Sequence, residues 1–403
     1  MPPPLHILAC VHSFEPGGVE RVGLRLCAAW QDAGAKVTVL LGRSHGAMRG
    51  EAPRLNYVRY ESGPFSTSWC ETAWMILCLW RQVRSARPDV IFCPGNSYTV
   101  VAVALRLLLG SRCPPIVAKV SNSLARHDMI APVRLVYRLW LRLQGRLITL
   151  WVSMAASMRA EIAAAMGVSE AEIAVIEDPA LDAGEASRLA RARDDRIART
   201  RAERICGPSP GRLFLSAGRL SPQKRFDLLI HAFALAAAPR DRLVILGEGS
   251  GRRRLEALAR RLGLDQRISL PGHRRDIATW LARADAFVLA SDYEGVPAVI
   301  VEAMAAGVPV IATNSSVGMD DLLDHGRFGR LVACGDAAAL AQAMAEAGTA
   351  HPNVEAARAQ AARFRVERAA PAYLKLMRIA ASGRADGRVR RASARAGTQG
   401  AEP

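Results

Sequence analysis

Two glutamates eight positions apart stand in Ser291-Asp-Tyr-Glu294-Gly295-Val296-Pro297-Ala-Val-Ile-Val-Glu302-Ala-Met-Ala-Ala-Gly307. The apolar run before them has strand length and ends near Ala290, so Glu294 falls on a loop. Pro297 suits the first turn of a following helix. Glu302 then lies about one and a half turns into that helix, among Val299, Ile300, Val301, Ala303, Met304 and Ala305. A carboxylate in such a run is costly unless a cation or a ligand hydroxyl satisfies it. A surface glutamate paired with a second one on the loop is the plainer alternative.

Cations gather in Leu215-Ser-Ala-Gly218-Arg219-Leu-Ser221-Pro222-Gln-Lys224-Arg225-Phe-Asp227. A strand runs into Gly218, and Ser221-Pro222 reads as an N-cap followed by proline at the first helical position. Free backbone N–H groups, the helix dipole, Arg219 and Lys224 would together seat a phosphate. The same pattern also describes a capped helix with solvated basic residues.

Near the start, Phe14-Glu-Pro16-Gly17-Gly18-Val19-Glu20-Arg21 follows one strand and opens a helix. Adjacent glycines let a backbone approach a ligand closely, although an ordinary turn would use them as well. His127, in Ser121-Asn-Ser-Leu-Ala-Arg126-His127-Asp128, falls after another strand, at the ligand end of a parallel sheet or in a plain surface loop. Gly247-Glu-Gly249-Ser-Gly251 is superficially like a dinucleotide fingerprint but has G-x-G-x-G spacing, which is weak support for a nicotinamide cofactor.

Positioning these loops requires strands and helices in alternation. Strand-length runs occur at 6–11, 36–41, 89–93, 116–120 and 150–154, then at 212–217, 242–246, 267–270, 286–290, 308–312 and 330–332. Helical periods lie between them. Such alternation predicts parallel sheets covered by helices, with ligands at the carboxyl ends of the strands. The pattern pauses at a charged Ala- and Arg-rich stretch between about Asp182 and Pro210, which divides the chain into two α/β domains. The tail after about Ser382 has no apolar periodicity and reads as disordered.

At 403 residues, half of them hydrophobic and 23% charged, the chain is neither a wholly disordered sequence nor a coiled coil. The net charge of +17 favours anionic partners, and only four of the 54 Lys and Arg are lysines. Eight scattered cysteines form no C-x-x-C pair and read as buried thiols in a reducing compartment. No charge-free run reaches membrane-spanning length, and the N-terminus lacks the pattern of a secretory leader. A cytoplasmic location is the expectation.

Taken together, these blocks resemble the retaining glycosyltransferases of GT-B type in family 4 (glycosyl transferases group 1). The similarity covers nearly all of residues 5–380. Its most specific part is the E-x7-E pair in SDYEGVPAVIVEAMAAGVPVIAT, supported by PGGVERVGLRLCAAWQDAGAKVTVLLG, PDVIF, GRLSPQKRFDLLIHAF, VILGEGSGRRRLEALARRLGL and ISLPGHRRDIATWLARADAFVLAS. It implies two doubly wound Rossmann-like domains facing each other across a cleft. An acceptor-side domain would span 1–180, a linker 181–208 and a nucleotide-sugar domain 209–370. A last helix at 371–382 would be free to cross back, followed by a tail at 383–403. Family members often read Asn-Pro where this chain has Asp178-Pro179.

The resemblance also implies roles. Arg219 and Lys224 would hold the diphosphate of a UDP- or GDP-sugar, Glu302 the ribose hydroxyls, and Glu294 the transferred sugar. Gly295 and Val296 would add backbone N–H groups, and Gly272, His273 and Arg274 would meet the base. Gly17 and Gly18 would approach the diphosphate and acceptor, and His127 would lie near the sugar. No metal is expected, because Arg and Lys supply the cations. The product would belong to cell-surface polysaccharide or lipopolysaccharide synthesis, made on a glycan or lipid-linked acceptor. A nucleotide-sugar epimerase on a similar fold, or a non-catalytic sugar- or nucleic-acid-binding protein, are the alternatives; no nucleic acid is expected, since aromatics are only 5% of residues.

Arg134, Arg138, Arg142 and Arg146 recur every fourth position beside Leu135, Val136, Leu139, Trp140 and Leu143. Such a stripe can lie on an anionic membrane, peripherally on the inner face, or can be the solvated side of a helix packed on its sheet. The apolar run Trp74–Trp80 offers the same choice.

Overall fold

The computed structural model describes residues 3–383 except 16, 44, 47, 61–70, 125–128, 204–210 and 348–352, with the side chains of 198–203 also undescribed. The chain divides into two compact units, Met1–Pro179 with Val366–Pro403, and Ala180–Arg365.

The first unit is built on seven strands: β1 (His6–Val11), β2 (Lys36–Leu41), β3 (Asn56–Val58), β4 (Val90–Cys93), β5 (Ile116–Lys119), β6 (Leu150–Ser153) and β7 (Ile173–Val175). They are parallel, in the order β3-β2-β1-β4-β5-β6-β7. All residues of β1, β4, β5 and β6 are buried, as expected when helices cover both faces. Sequence reading missed β3 and β7. Each is three residues long and largely half-exposed, too short to show a period.

The core of this unit depends on the end of the chain. Trp30, from the helix Gly18–Asp32, meets Phe92 of β4 with ring centroids 4.9 Å apart. Tyr373, from the helix Val366–Ser382, lies 5.6 Å from Phe92, and the Trp30 indole N–H donates to Ala370 O at 3.1 Å. The last helix therefore belongs to the first unit. It begins at Val366 rather than 371 and carries Pro371 within it. Asp178 is answered by a buried cation: Lys119 Nζ lies 2.5 Å from its Oδ1.

The second unit holds β8 (Leu213–Ala217), β9 (Arg242–Leu246), β10 (Ile268–Gly272), β11 (Ala286–Leu289), β12 (Val310–Thr313) and β13 (Gly329–Val332). The parallel order is β10-β9-β8-β11-β12-β13, the doubly wound arrangement. Most of the stretch expected as a linker, 181–208, is helical instead. Ala183–Glu203 is a helix of the second unit, which starts at Ala180 rather than 209. Arg193 fixes this helix by donating to Ala282 O and Ala284 O at 3.0 and 2.6 Å. Charge composition alone cannot separate a linker from a helix rich in Ala and Arg, both strong helix formers. The 383–403 tail lies, but for Gly383, outside the described residues.

Cys10, Cys27, Cys78, Cys93 and Cys113 are free and buried, while Cys334 is free and exposed. No helix among the described residues is long and apolar enough to cross a membrane.

Candidate functional site

The strand order of the second unit reverses between β8 and β11, so the loops leaving their carboxyl ends diverge and open a crevice. Lys224 sits on the loop after β8 and Glu294 on the loop after β11. Lys224 Nζ and Glu294 Oε1 are 2.5 Å apart, with side chains only 17% and 8% exposed. An ammonium has three donors, and this contact uses one.

Backbone bonds hold the two loops together. Asp292 N donates to Gln223 O at 2.9 Å, and Gln223 Nε2 donates to Tyr293 O at 2.7 Å. Glu294 N donates to Ser315 O, and the Ser316 hydroxyl to Gly295 O. Arg225 pairs with both Asp227 and Asp292. Arg219 is exposed on the same loop after β8, and its guanidinium has no ion pair among the described residues. The expected helix at Ser221 is corrected. Pro222–Lys224 form a single 3-10 turn, Ser221 makes no side-chain cap, and the helix proper runs from Phe226 to Ala236 after Arg225 at φ 46°. The backbone left-handed twist at Arg225 separates Lys224 from the helix start that sequence reading assigned to it.

Glycines let the neighbouring loops pack backbone on backbone. A Cβ on Gly247, at φ 139°, would stand 1.9 Å from Gly218 O, and one on Gly249 would stand 2.6 Å from Leu220 O. The G-x-G-x-G segment is thus explained by loop packing. Gly218 itself lies under the Lys224 stem, whose Cε would be 3.2 Å from an added Cβ.

Glu302 is 3% exposed in the helix Ala298–Ala306, where every residue from Ile300 to Ala306 is buried. Gly295 and Val296 are buried at the entrance to that helix. Gly272 ends β10 at φ 88°, with His273 and Arg274 exposed beyond it. Glu294, Lys224, Gly295, Val296, Glu302, Gly272 and the Arg219 loop thus all lie on loops or a helix that follow the carboxyl ends of this sheet.

In the first unit the reversal falls between β1 and β4. Gly17 is the extended residue before the helix Gly18–Asp32, and nothing lies within 4 Å of where a Gly18 Cβ would sit. His127 lies outside the described residues. Sequence reading missed a polar cluster at this strand end. The Tyr98 hydroxyl donates to Glu20 Oε1 at 2.9 Å and accepts from His12 N, and His12 and Arg43 both approach Glu71. Burial, aided by the Glu20 charge, pushes the Tyr98 phenol well above its usual range. These residues are far apart in sequence and share no spacing, so only the fold gathers them.

The two apolar segments flagged for membranes differ. The helix Glu71–Ala86 buries Met75, Cys78 and Leu79. The helix Ala131–Leu147 buries only Leu141 and Gln144.

Residues 211–349 match the family described as Glycosyl transferases group 1, and residues 16–179 the one described as Glycosyltransferase Family 4. The lipopolysaccharide core biosynthesis glycosyltransferase LpsE of Rhizobium meliloti is 36% identical over 137 residues, 34% of this chain and 39% of that protein. The N-acetylgalactosamine-N,N'-diacetylbacillosaminyl-diphospho-undecaprenol 4-alpha-N-acetylgalactosaminyltransferase of Campylobacter jejuni is 35% identical over 121 residues, 30% and 33% of the two chains. The matches therefore span well under half the length of these curated relatives. Anabaena HepE, solved with UDP and glucose, shares the fold at a TM-score of 0.73 and 22% identity, over 93% of this chain and 99% of that one.

Proposed function

Because the chain belongs to the GT-B glycosyltransferases, we propose that it transfers a sugar from a UDP- or GDP-sugar to a glycan or lipid-linked acceptor, in polysaccharide or lipopolysaccharide synthesis. One observation carries this reading: the Lys224–Glu294 contact at the strand-order reversal, with the exposed Arg219 on the same loop as Lys224. Departure of a nucleoside diphosphate concentrates negative charge on phosphate while the sugar becomes oxocarbenium-like. Cations fixed where that charge develops lower the barrier most.

In this reading Arg219 and the two remaining Lys224 donors bind the diphosphate, and no metal is needed. Glu294, held by Lys224, faces the sugar hydroxyls, and the Gly295 and Val296 backbone lies beside it. Glu302 accepts from the ribose hydroxyls, and Gly272, His273 and Arg274 meet the base. Gly17 and Gly18 contact the acceptor in the first unit, with His127 a further candidate there. The acceptor hydroxyl attacks the face the phosphate leaves, its proton passing to the departing phosphate oxygen. The anomeric configuration is then retained without a protein nucleophile. Solved HepE binds UDP and glucose, and the Campylobacter relative is named for a diphospho-undecaprenol-linked substrate; both support donor and acceptor classes of this kind. Peripheral docking on an anionic membrane through Arg134, Arg138, Arg142 and Arg146 completes the reading.

The test is incubation with radiolabelled UDP- and GDP-sugars and candidate acceptors, with product anomers assigned by proton NMR. A labelled product with the donor's anomeric configuration is expected. Interconversion of the free nucleotide-sugar would instead identify an epimerase, and binding without turnover a non-catalytic protein.

A further inference from the structure

The helix Ala131–Leu147 has its apolar side chains on the outside. Ile130 is 69% exposed, Leu135 59%, Val136 67% and Leu139 64%. With 100° between successive residues, the buried Leu141 and Gln144 mark the packed side. Leu135, Leu139, Arg142 and Arg146 therefore project from the opposite side, flanked by Val136 and Leu143 on one edge and Arg138 on the other. This excludes the simple alternative of a helix that buries its apolar stripe on the sheet and leaves only arginines in water.

Beside this outer side runs a groove of about 600 Å³, lined by Arg138, Arg142 and Arg146 with Leu139, Leu143 and Met166. The Arg142 guanidinium rests on Gly167, where a Cβ would come within 2.7 Å of its Nη1 at φ 68°. The adjoining helix Thr99–Leu109 adds Leu107 and Leu108, exposed by 63% and 64%.

We propose that this helix face is a docking surface for the anionic leaflet of a bilayer. The three groove arginines hold lipid phosphates, and Leu135, Val136, Leu139 and Leu143 enter the interfacial region. The inference deepens the membrane part of the proposed function by naming the face, the headgroup chemistry and the groove. Charge and shape select this occupant. A second copy would bring like-charged arginine faces together in a chain of net charge +17. Nucleic acid would satisfy the arginines but leave the protruding leucines in water, whereas a leaflet offers phosphate and hydrocarbon in the right order.

The full chain should float with phosphatidylcholine–phosphatidylglycerol vesicles at low salt and release at high salt, with little binding to phosphatidylcholine alone. The pair Arg138→Gln and Arg142→Gln should weaken vesicle binding about 25-fold, at roughly a fivefold loss per arginine. The pair Leu135→Ser and Leu139→Ser should weaken it without changing its salt dependence. Circular dichroism melts establish that both variants fold. UDP-sugar binding, read by thermal shift, should be unchanged in both, so loss of docking and failure of the donor site are separate results. No flotation, or flotation unchanged in both variants, overturns the proposal. So does a dimer abolished by Leu135→Ser and Leu139→Ser, or a single-stranded RNA oligonucleotide bound more tightly than the anionic vesicles.

Discussion

Lys224 and Glu294 are 70 residues apart in sequence yet share a contact of 2.5 Å, because β8 and β11 are neighbours in the sheet. Replacing Lys224 by Ala removes the cation proposed to hold phosphate and leaves a mostly buried carboxylate without this partner. Transfer should fall about 100- to 1,000-fold in kcat, the usual cost of losing one preorganised charge-stabilising group. Unit stability should fall by about 1–3 kcal/mol, measured by urea unfolding. Glu294→Gln keeps size and hydrogen bonding, so it should lose activity with a smaller stability cost. Wild-type rates in both variants would remove the pair from the chemistry.

Gly247 gives a test of architecture without touching a charged group. A methyl group there would collide with Gly218 O, and the φ of 139° is one that L side chains rarely adopt. Gly247→Ala should therefore destabilise the second unit by more than about 2 kcal/mol. Thermal unfolding followed by near-UV circular dichroism reads this directly. An unchanged midpoint would mean that the two loops separate freely.

Sheet architecture was legible because buried parallel strands are continuous apolar runs: the expected boundaries 6–11, 36–41 and 242–246 coincide with β1, β2 and β9. Edge strands β3 and β7 carry no such run. The E-x7-E spacing and the basic loop were visible locally, whereas their meeting at Lys224–Glu294 depends on strand order, which is non-local. Ser221-Pro222 misled because it is followed by a 3-10 turn and a left-handed Arg225, a conformation no spacing rule encodes. The Ala183–Glu203 helix was hidden by its charge, since composition resembles a linker while propensity favours helix.

Acid should weaken the second unit through Asp241. Burial alone would raise its carboxyl pKa, but hydrogen bonds from the Arg212 side chain and from the Arg212 and Ala238 backbone outweigh burial and hold it below the ordinary range. A depressed carboxyl binds its proton less readily folded than unfolded. Its contribution is therefore complete above the unfolded pKa, near about 3.9, and is lost as pH falls through the lower folded value. Melting temperatures measured from neutral pH to about pH 3 should drop below about pH 4, with a flatter profile in Asp241→Asn. Identical profiles for wild type and variant would deny Asp241 this role.

Tyr373 ties the chain end to the first unit, fully buried against Trp30 and Phe92. Tyr373→Ala should cost about 3–5 kcal/mol, the range for a deleted core aromatic. Because the lost contacts all lie in the first unit, hydrogen exchange should accelerate in β1, β4 and β5 and stay unchanged in β8 to β13. Uniform acceleration across both sheets would contradict the assignment of the last helix to the first unit alone.

Gly18 separates a ligand role from a folding role. It is the first residue of its helix and has open space where a Cβ would go, so the methyl group of Ala there meets no described protein atom. Relative to glycine, alanine also favours the helix, by up to about 1 kcal/mol. Gly18→Ala should therefore melt at or slightly above the wild-type temperature. If the Gly17–Gly18 loop lies against substrate, the added methyl group occupies space a ligand needs, and Gly18→Val should raise an acceptor or donor KM more than Gly18→Ala does. Steady-state kinetics with both substrates varied, set beside thermal melts of the same preparations, give the comparison. Unaltered kinetics in the valine variant would leave the open space above Gly18 without a role in binding.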